Sequence, residues 1–156
     1  MPQPAKPRIL ITGFVPFGGE IVNPSLQIAH ALHDQQIAGH VVVAGQLPTV
    51  FGDALQALGV QLRKHRPVLV MCLGQAGGRK ALSFERVAIN VNDARIPDNA
   101  HQQPIDTPVI KDGPVGYFST LPIKAMASAA QQAGSASEIS QSAGTFGCNH
   151  VCYGSM

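Results

Sequence analysis

Three short apolar runs, each separated from the next by a helical pattern, constrain the fold of this 156-residue chain most strongly. Residues 8–13, 40–47 and 68–73 each read as a buried strand, and the third run is apolar throughout. A continuous apolar run is typical of a central parallel strand covered on both faces. Asn23 followed by Pro24 is typical of a helix start. The order strand–helix–strand–helix–strand therefore predicts an α/β fold with a largely parallel sheet.

The second half of the chain continues this pattern less regularly. Residues 84–91 alternate polar and apolar side chains like a strand, and residues 117–120 read as a short extended piece. Pro122 suits a helix start and Gly134 a helix stop. A short strand at residues 138–140 then leads into a turn of small residues. No internal repeat or interdomain linker interrupts the chain, so we expect one domain over its whole length.

Composition excludes several classes of protein. Apolar residues make up 45% of the chain and charged residues 13%, which excludes a disordered, highly solvated polymer. The formal net charge of +2 is thinly spread. The densest basic run, at residues 63–66, favours the C-terminus of a helix over a nucleic-acid contact. No apolar stretch reaches the roughly 18 residues that a membrane span needs. We therefore predict no nucleic-acid partner and no membrane association.

The N-terminus and the cysteines indicate a compartment. Residues 1–7 are proline-rich and lack the apolar region of a signal peptide. The three cysteines are scattered, and their spacing fits neither a disulfide framework nor a zinc site. Free thiols suit a reducing environment. These features predict a cytoplasmic protein without a bound metal.

Cys148 is the candidate nucleophile. It follows a turn of small residues and stands where a helix is predicted to begin. The positive end of a helix dipole favours the thiolate, which is the nucleophilic form of cysteine. A structural cysteine at a helix start is the alternative. Cys72, by contrast, lies inside the third apolar run and is predicted to be an inert core residue.

Nucleophilic catalysis also needs a base, a group that orients the base, and donors for the oxyanion. Glu85 interrupts an otherwise apolar strand, so it either pairs with a neighbour or orients a histidine. Arg79, Arg86 and Arg95 are available as donors. Asp98 has two possible roles, since it either holds Arg95 or caps a turn.

Among the histidines, only two come near the candidate site in the predicted topology. His150 is two residues past Cys148 and would point away from it on a helix. His101 lies in the irregular loop and is the one base to consider within the chain.

Two loops follow predicted strands. Phe14 and Phe17 stand in a Pro/Gly loop and either cover the core or form an apolar wall for a ligand, because open α/β sheets bind ligands at this end of their strands. The loop at residues 74–79 is glycine-rich. It lacks the Gly-Lys-Ser/Thr of a phosphate loop and the spacing of a dinucleotide fold, which argues against a nucleotide-binding module.

Taken together, these segments resemble the type I pyroglutamyl peptidases, also called pyrrolidone-carboxylate peptidases. The matching blocks are FVPFGG at 14–19, GQAGGR at 74–79, ERVAIN at 85–90, DARIPDN at 93–99, and SAGT at 142–145 followed by Cys148 and Asn149. The resemblance runs in order from Arg8 nearly to the end of the chain. It implies a three-layer α/β/α sandwich with a largely parallel, twisted central sheet.

The resemblance also implies a function. The family removes N-terminal pyroglutamyl residues from peptides with a Cys-His-Glu triad and without metal or cofactor. Cys148 would be the nucleophile, Glu85 the triad acid, and Arg95 a stabiliser of the oxyanion. The resemblance would have the two loop phenylalanines, Phe14 and Phe17, sandwich the pyrrolidone ring. Gln75 would lie in the substrate pocket. The expected partners are peptides with N-terminal pyroglutamate, and the family often forms homodimers or tetramers.

Two departures from the family pattern qualify this expectation. The family's triad histidine follows the cysteine in a later strand-end loop, and residues 149–156 hold no histidine at such a place. Gly147 stands where the family usually has a bulkier apolar residue, and Cys152 where an aromatic residue is usual. We therefore expect a domain over residues 1–156 that lacks the C-terminal part of the family fold and is inactive or weakly active in this form. The alternative is an inactive protein that binds pyroglutamyl peptides.

Overall fold

The structure is a computed structural model that describes residues 5–156. The chain divides into two compact units. The first comprises Met1–Gln75 and Ile96–Gln102, and the second Ala76–Arg95 and Gln103–Met156. Part of the signal-peptide argument concerns residues 1–4, which lie outside the described residues. That the chain folds as a single domain stays a prediction.

The first unit contains a four-stranded sheet. Its strands are β1 (Arg8–Phe14), β2 (Gln36–Ile37), β3 (His40–Leu47) and β4 (Leu69–Cys72), in the order β2-β3-β1-β4. Strand β1 pairs in parallel with β3 and with β4, while β2 pairs antiparallel with β3. The predicted largely parallel sheet is therefore confirmed for this unit.

The position of β4 differs from the prediction. It lies at the end of this hydrogen-bonded sheet, its four residues are only half-buried, and β1 is the strand with a parallel neighbour on each side. Apolar runs mark both strands, so apolarity alone does not tell a central strand from an outer one.

Two helices pack on this sheet, α1 (Pro24–Leu32) and α2 (Asp53–His65). The predicted start of α1 is confirmed, because the Asn23 side chain accepts a hydrogen bond from Ser25 N at 3.1 Å and Pro24 is the first helical residue. Ala29 of α1 packs against Ile11 and Val42 in the apolar core. The unit is thus built from strand–helix–strand repeats, as the sequence predicts.

The second unit has four short strands and two helices. They are β5 (Leu82–Glu85), β6 (Val87–Ile89), β7 (Gly116–Phe118), α3 (Ile123–Gln132), β8 (Ser137–Ser140) and α4 (Gly147–Gly154). Strands β5 and β8 are parallel, and β6 and β7 are antiparallel. Helix α3 starts directly after Pro122, as expected, and Gly134 follows its end with a φ of 87°.

The strand predicted at residues 84–91 is divided at Arg86. The Arg86 N–H donates to Ser140 O at 2.8 Å, and the Arg86 carbonyl accepts from Ser119 N at 2.8 Å. The chain changes partner here, from β8 to β7, so one alternating run becomes two strands. The elements together confirm the α/β class. Among residues 5–156 no helix combines the length and the apolarity that crossing a membrane requires.

Candidate active site

Cys148 is the second residue of α4 and is half-buried. Phe146 precedes the helix in an extended conformation, and Gly144 allows the preceding turn by adopting a φ of 77°. Cys148 therefore lies at the start of a helix, as the sequence predicts. The first turn of a helix carries the positive end of the dipole, which favours a thiolate.

Glu85 is the last residue of β5, and its two carboxylate oxygens differ. Arg79 Nη1 donates to Oε1 at 3.0 Å, in a pair whose side chains are 36% and 24% exposed for Arg79 and Glu85. Oε2 is buried and accepts no hydrogen bond from the described residues. Glu85 thus pairs with a neighbour and also keeps one oxygen available to orient a further donor.

Glu85 also lies close to α4. Burial raises the pKa of the Cys152 thiol, and the nearby Glu85 carboxylate raises it further. Cys152 is one helical turn past Cys148, so the two lie on neighbouring positions of one helix face. The second unit therefore brings the predicted acid and the helix of the predicted nucleophile together.

The loop that carries Arg95 is joined to the turn before α4. The Asp93 N–H donates to Thr145 O at 2.9 Å, and Thr145 Oγ1 donates to Asp93 O at 2.7 Å. Arg95 follows two residues later and is exposed, and it makes no ion pair with another described residue. Arg95 is thus joined to the turn before α4 through the backbone of its loop.

The two candidate histidines lie in different units. His150 is 4% exposed, its Nδ1 lies 3.0 Å from Asn92 Oδ1, and burial lowers its pKa. His150 therefore joins α4 to the loop that begins at Asn92. His101 is exposed in the first unit and occupies a turn with a φ of 62°.

The first unit holds the residues predicted to contact substrate. Phe14 is 4% exposed and is the last residue of β1, where its N–H donates to Ser25 Oγ at 3.0 Å. It therefore belongs to the strand and not to the loop, because the pairing of β1 with β3 extends to Leu47. Phe17 is half-buried in the loop. Gln75 is half-buried, and its Oε1 is a buried atom without a partner among the described residues.

A buried carboxylate braces this unit. Asp98 is 5% exposed and accepts from Phe51 N at 2.8 Å, Ala100 N at 2.9 Å and Gln102 N at 2.8 Å. Asp98 thus caps a turn, which is the second of its two expected roles. The next residue, Asn99, donates to Pro16 O at 2.9 Å and so ties the loop between the phenylalanines to residues 96–102.

Two features of the site were not predicted. Asn149 is fully buried beside Cys148 and bonds to the backbone of the second unit three times. Its signal in the sequence is an amide in a short helix that also contains apolar residues. The other is the partner of Glu85, because pairing with a neighbour was one of its two expected roles but Arg79 was not named as that neighbour. Within residues 5–156 no group of three or more His, Cys, Asp or Glu side chains could hold a metal ion.

Comparison with known proteins gives consistent results. The sequence profile described as pyroglutamyl peptidase matches residues 7–156. A pyrrolidone-carboxylate peptidase of Streptomyces coelicolor is 58% identical over 147 residues, which cover 94% of this chain and 68% of that protein. One from Bacillus cytotoxicus is 52% identical over 148 residues, covering 95% and 69%.

Solved structures agree with these relatives. The crystal structure of pyroglutamyl peptidase I from Bacillus amyloliquefaciens superposes with a TM-score of 0.95 at 44% identity, covering 97% of this chain and 73% of that one. Pyrrolidone carboxyl peptidase from Pyrococcus furiosus superposes with a TM-score of 0.92 at 43% identity, covering 95% and 71%. The profile, the relatives and the folds agree over nearly the whole chain, and the chain therefore belongs to the pyroglutamyl peptidase family.

Proposed function

We propose that this chain is a cysteine exopeptidase that hydrolyses the bond after an N-terminal pyroglutamyl residue. Family membership supports the reaction and the substrate class. The observation that carries the proposal for the site is that Oε2 of Glu85 is buried without a donor among the described residues, in a carboxylate close to the helix that carries Cys148. A buried carboxylate oxygen without a donor is costly, and a histidine N–H would satisfy it.

The proposed reaction proceeds by acyl transfer to sulfur. The Cys148 thiolate attacks the pyroglutamyl carbonyl carbon, and the tetrahedral intermediate collapses with cleavage of the C–N bond. The leaving amine takes a proton from a histidine that Glu85 orients, and water then hydrolyses the thioester to release pyroglutamate. Arg95 stabilises the developing oxyanion in this scheme.

Recognition of the substrate is assigned to three residues of the first unit. Pyroglutamate has a flat lactam with no free amine, which suits aromatic walls supplied by Phe14 and Phe17. Gln75 has a buried Oε1 that is suited to accept the lactam N–H. A site built on such polar contacts penalises analogues such as proline, which lack the lactam carbonyl.

The identity of the base sets the expected rate. His150 is the only histidine in the sequence of the second unit, and it is buried against Asn92. The resemblance predicts a base at a position after residue 156. We therefore propose that a polypeptide of residues 1–156 alone hydrolyses substrate several orders of magnitude more slowly than a complete triad would.

The test is release of coumarin from a pyroglutamyl-coumarin substrate by this polypeptide at high protein concentration. We expect slow release that Cys148→Ala abolishes and that Cys72→Ala leaves unchanged. Release that persists in the Cys148→Ala variant would exclude Cys148 as the nucleophile. Near-normal turnover would contradict the claim about the base.

A binding protein without catalysis is the second candidate, and the placement of His150 favours it over a fully active enzyme. Calorimetry with a pyroglutamyl peptide separates the two candidates. Tight binding without any Cys148-dependent cleavage supports the binding protein. Homodimers or tetramers remain an expectation of the family resemblance, and light scattering of the purified chain tests it.

A further inference from the structure

Asn149 forms a clamp between α4 and β6. Its Oδ1 accepts from Ile89 N at 2.9 Å, and its Nδ2 donates to Ile89 O at 2.8 Å and to Val91 O at 3.0 Å. The residue is 0% exposed. Its side-chain amide thus makes the two hydrogen bonds to the Ile89 N–H and carbonyl that a neighbouring strand would otherwise make.

The two sides of this clamp carry the proposed reacting groups. Cys148 directly precedes Asn149 in the first turn of α4. Strand β6 follows β5 after a single residue, Arg86, and Glu85 is the last residue of β5. The position of α4 on β6 therefore sets where the Cys148 thiol stands relative to the Glu85 carboxylate.

We propose that Asn149 is a positioning residue, which holds Cys148 in register with Glu85 by clamping the first turn of α4 to the backbone of β6. This inference rests on the proposed function, because that function names the two groups as partners. A buried apolar residue would fill the same space without the need to satisfy an amide. The amide adds a fixed direction and register, which packing alone does not supply.

The chain offers a matched control in the same unit. Asn90 makes a clamp of the same kind on another loop, since its Oδ1 accepts from Ile110 N at 2.9 Å and its Nδ2 donates to Ile110 O at 2.9 Å and to Gly113 O at 3.3 Å. Removal of either side chain breaks three bonds to the backbone. Only one of the two clamps involves the helix that carries Cys148.

The experiment compares Asn149→Ala with Asn90→Ala by the rate at which iodoacetamide alkylates Cys148 between pH 5 and pH 10. Peptide mass spectrometry separates Cys148 from the other two cysteines, and the readout needs no turnover. We expect Asn149→Ala to shift the pH profile of Cys148 and to lower kcat by about tenfold or more, because small displacements of a reacting group are costly. We expect KM to stay within about twofold of the original value, since Asn149 touches no substrate group in this proposal.

Asn90→Ala is expected to lower the melting temperature comparably while it leaves the Cys148 profile unchanged. If Asn149→Ala does not fold, Asn149→Ser replaces it, because its hydroxyl retains one of the donors. The proposal would be overturned if the pH profile of Cys148 alkylation were the same in the Asn149 and Asn90 variants. It would also be overturned if the Asn149 substitution left that profile unchanged. Failure of the proposed function itself would be seen in a different result, namely hydrolysis by the original protein that persists when Cys148 is replaced.

Discussion

The two carboxylate oxygens of Glu85 have different surroundings. Arg79 neutralises the carboxylate from one side, and the pair is exposed enough that its own contribution to stability is small. The other oxygen is buried without a donor among the described residues. The bond from Arg79 fixes the direction of the carboxylate, and a fixed direction is what an orienting acid requires.

The closeness of Glu85 and α4 is testable at Cys152. Burial raises the pKa of this thiol first, and the charge of Glu85 adds to it. In Glu85→Gln the charge is lost and the burial remains, so the pKa of Cys152 is expected to fall partway toward its usual value. At pH 8 the thiolate fraction then rises, and Cys152 is alkylated faster by iodoacetamide, as peptide mass spectrometry would measure.

Glu138→Gln is the control for this prediction, because Glu138 lies on β8 and takes a hydrogen bond from Ser83 Oγ. We expect no change at Cys152 in that variant. An unchanged Cys152 rate in Glu85→Gln would show that the carboxylate is not near α4.

His150 is expected to make stability depend on pH. Burial lowers its pKa below the usual 6.5, so the folded chain binds this proton less readily than the unfolded chain. The stabilisation is complete above pH 6.5 and is lost as the pH falls through and below that value. In His150→Gln, the slope of unfolding free energy against pH should decrease, by at most about 1.4 kcal/mol per pH unit.

Urea unfolding from pH 4.5 to pH 8 measures this slope. The pKa of His65 is also lowered, by burial and by Lys64, but His65 titrates in both proteins and cancels in the difference. Equal slopes in the two proteins would mean that His150 takes up its proton equally well in the folded state.

At the scale of elements, the contact between α1 and β1 depends on a glycine. A Cβ atom on Gly13 would lie 2.5 Å from Leu26 Cα, and backbone cannot move aside cheaply. Gly13→Ala is therefore expected to lower the free energy of unfolding by about 1–3 kcal/mol through overpacking. Chemical denaturation of the variant and the original chain measures the difference.

Gly59 in α2 provides the opposite case. A Cβ atom there would meet only Arg63 Nη1, at 3.3 Å, which is the end of a flexible side chain. Gly59→Ala is expected to raise the free energy of unfolding by up to about 1 kcal/mol, because alanine favours a helix interior. Similar effects of the two substitutions would contradict the close packing of α1 on β1.

Local patterns predict elements well where only local interactions decide them. Strand β3 occupies His40–Leu47 as predicted, and the start of α1 follows from the Asn-Pro pair. The division at Arg86 is different, because it depends on two strands that lie 30 to 55 residues further along the chain. Asp98 is similar, since one of its donors is Phe51, 47 residues earlier. Partners so distant leave no local pattern in the sequence.

At the scale of the whole molecule, the family blocks supplied the candidate site residues, and the structure gives the surroundings of some of them. The resemblance named Cys148 and Glu85, and the second unit places Glu85 near the helix that carries Cys148. The clamp of Asn149 was not predicted, because its partners are the backbone groups of Ile89 and Val91. Any residue other than proline supplies the same backbone N–H and carbonyl groups at those two positions, so the sequence there does not reveal the contact.

The central claim is that Cys148 is the nucleophile of a pyroglutamyl-specific site, and covalent labelling tests it most directly. Pyroglutamyl chloromethyl ketone presents the ring beside an electrophilic carbon, and attack by a thiolate expels chloride to form a thioether. We predict a label on Cys148, identified by peptide mass spectrometry, that is slowed by free pyroglutamate and absent in Cys148→Ser. A label on Cys72 or Cys152 instead, or labelling of Cys148 that pyroglutamate does not slow, would contradict the account.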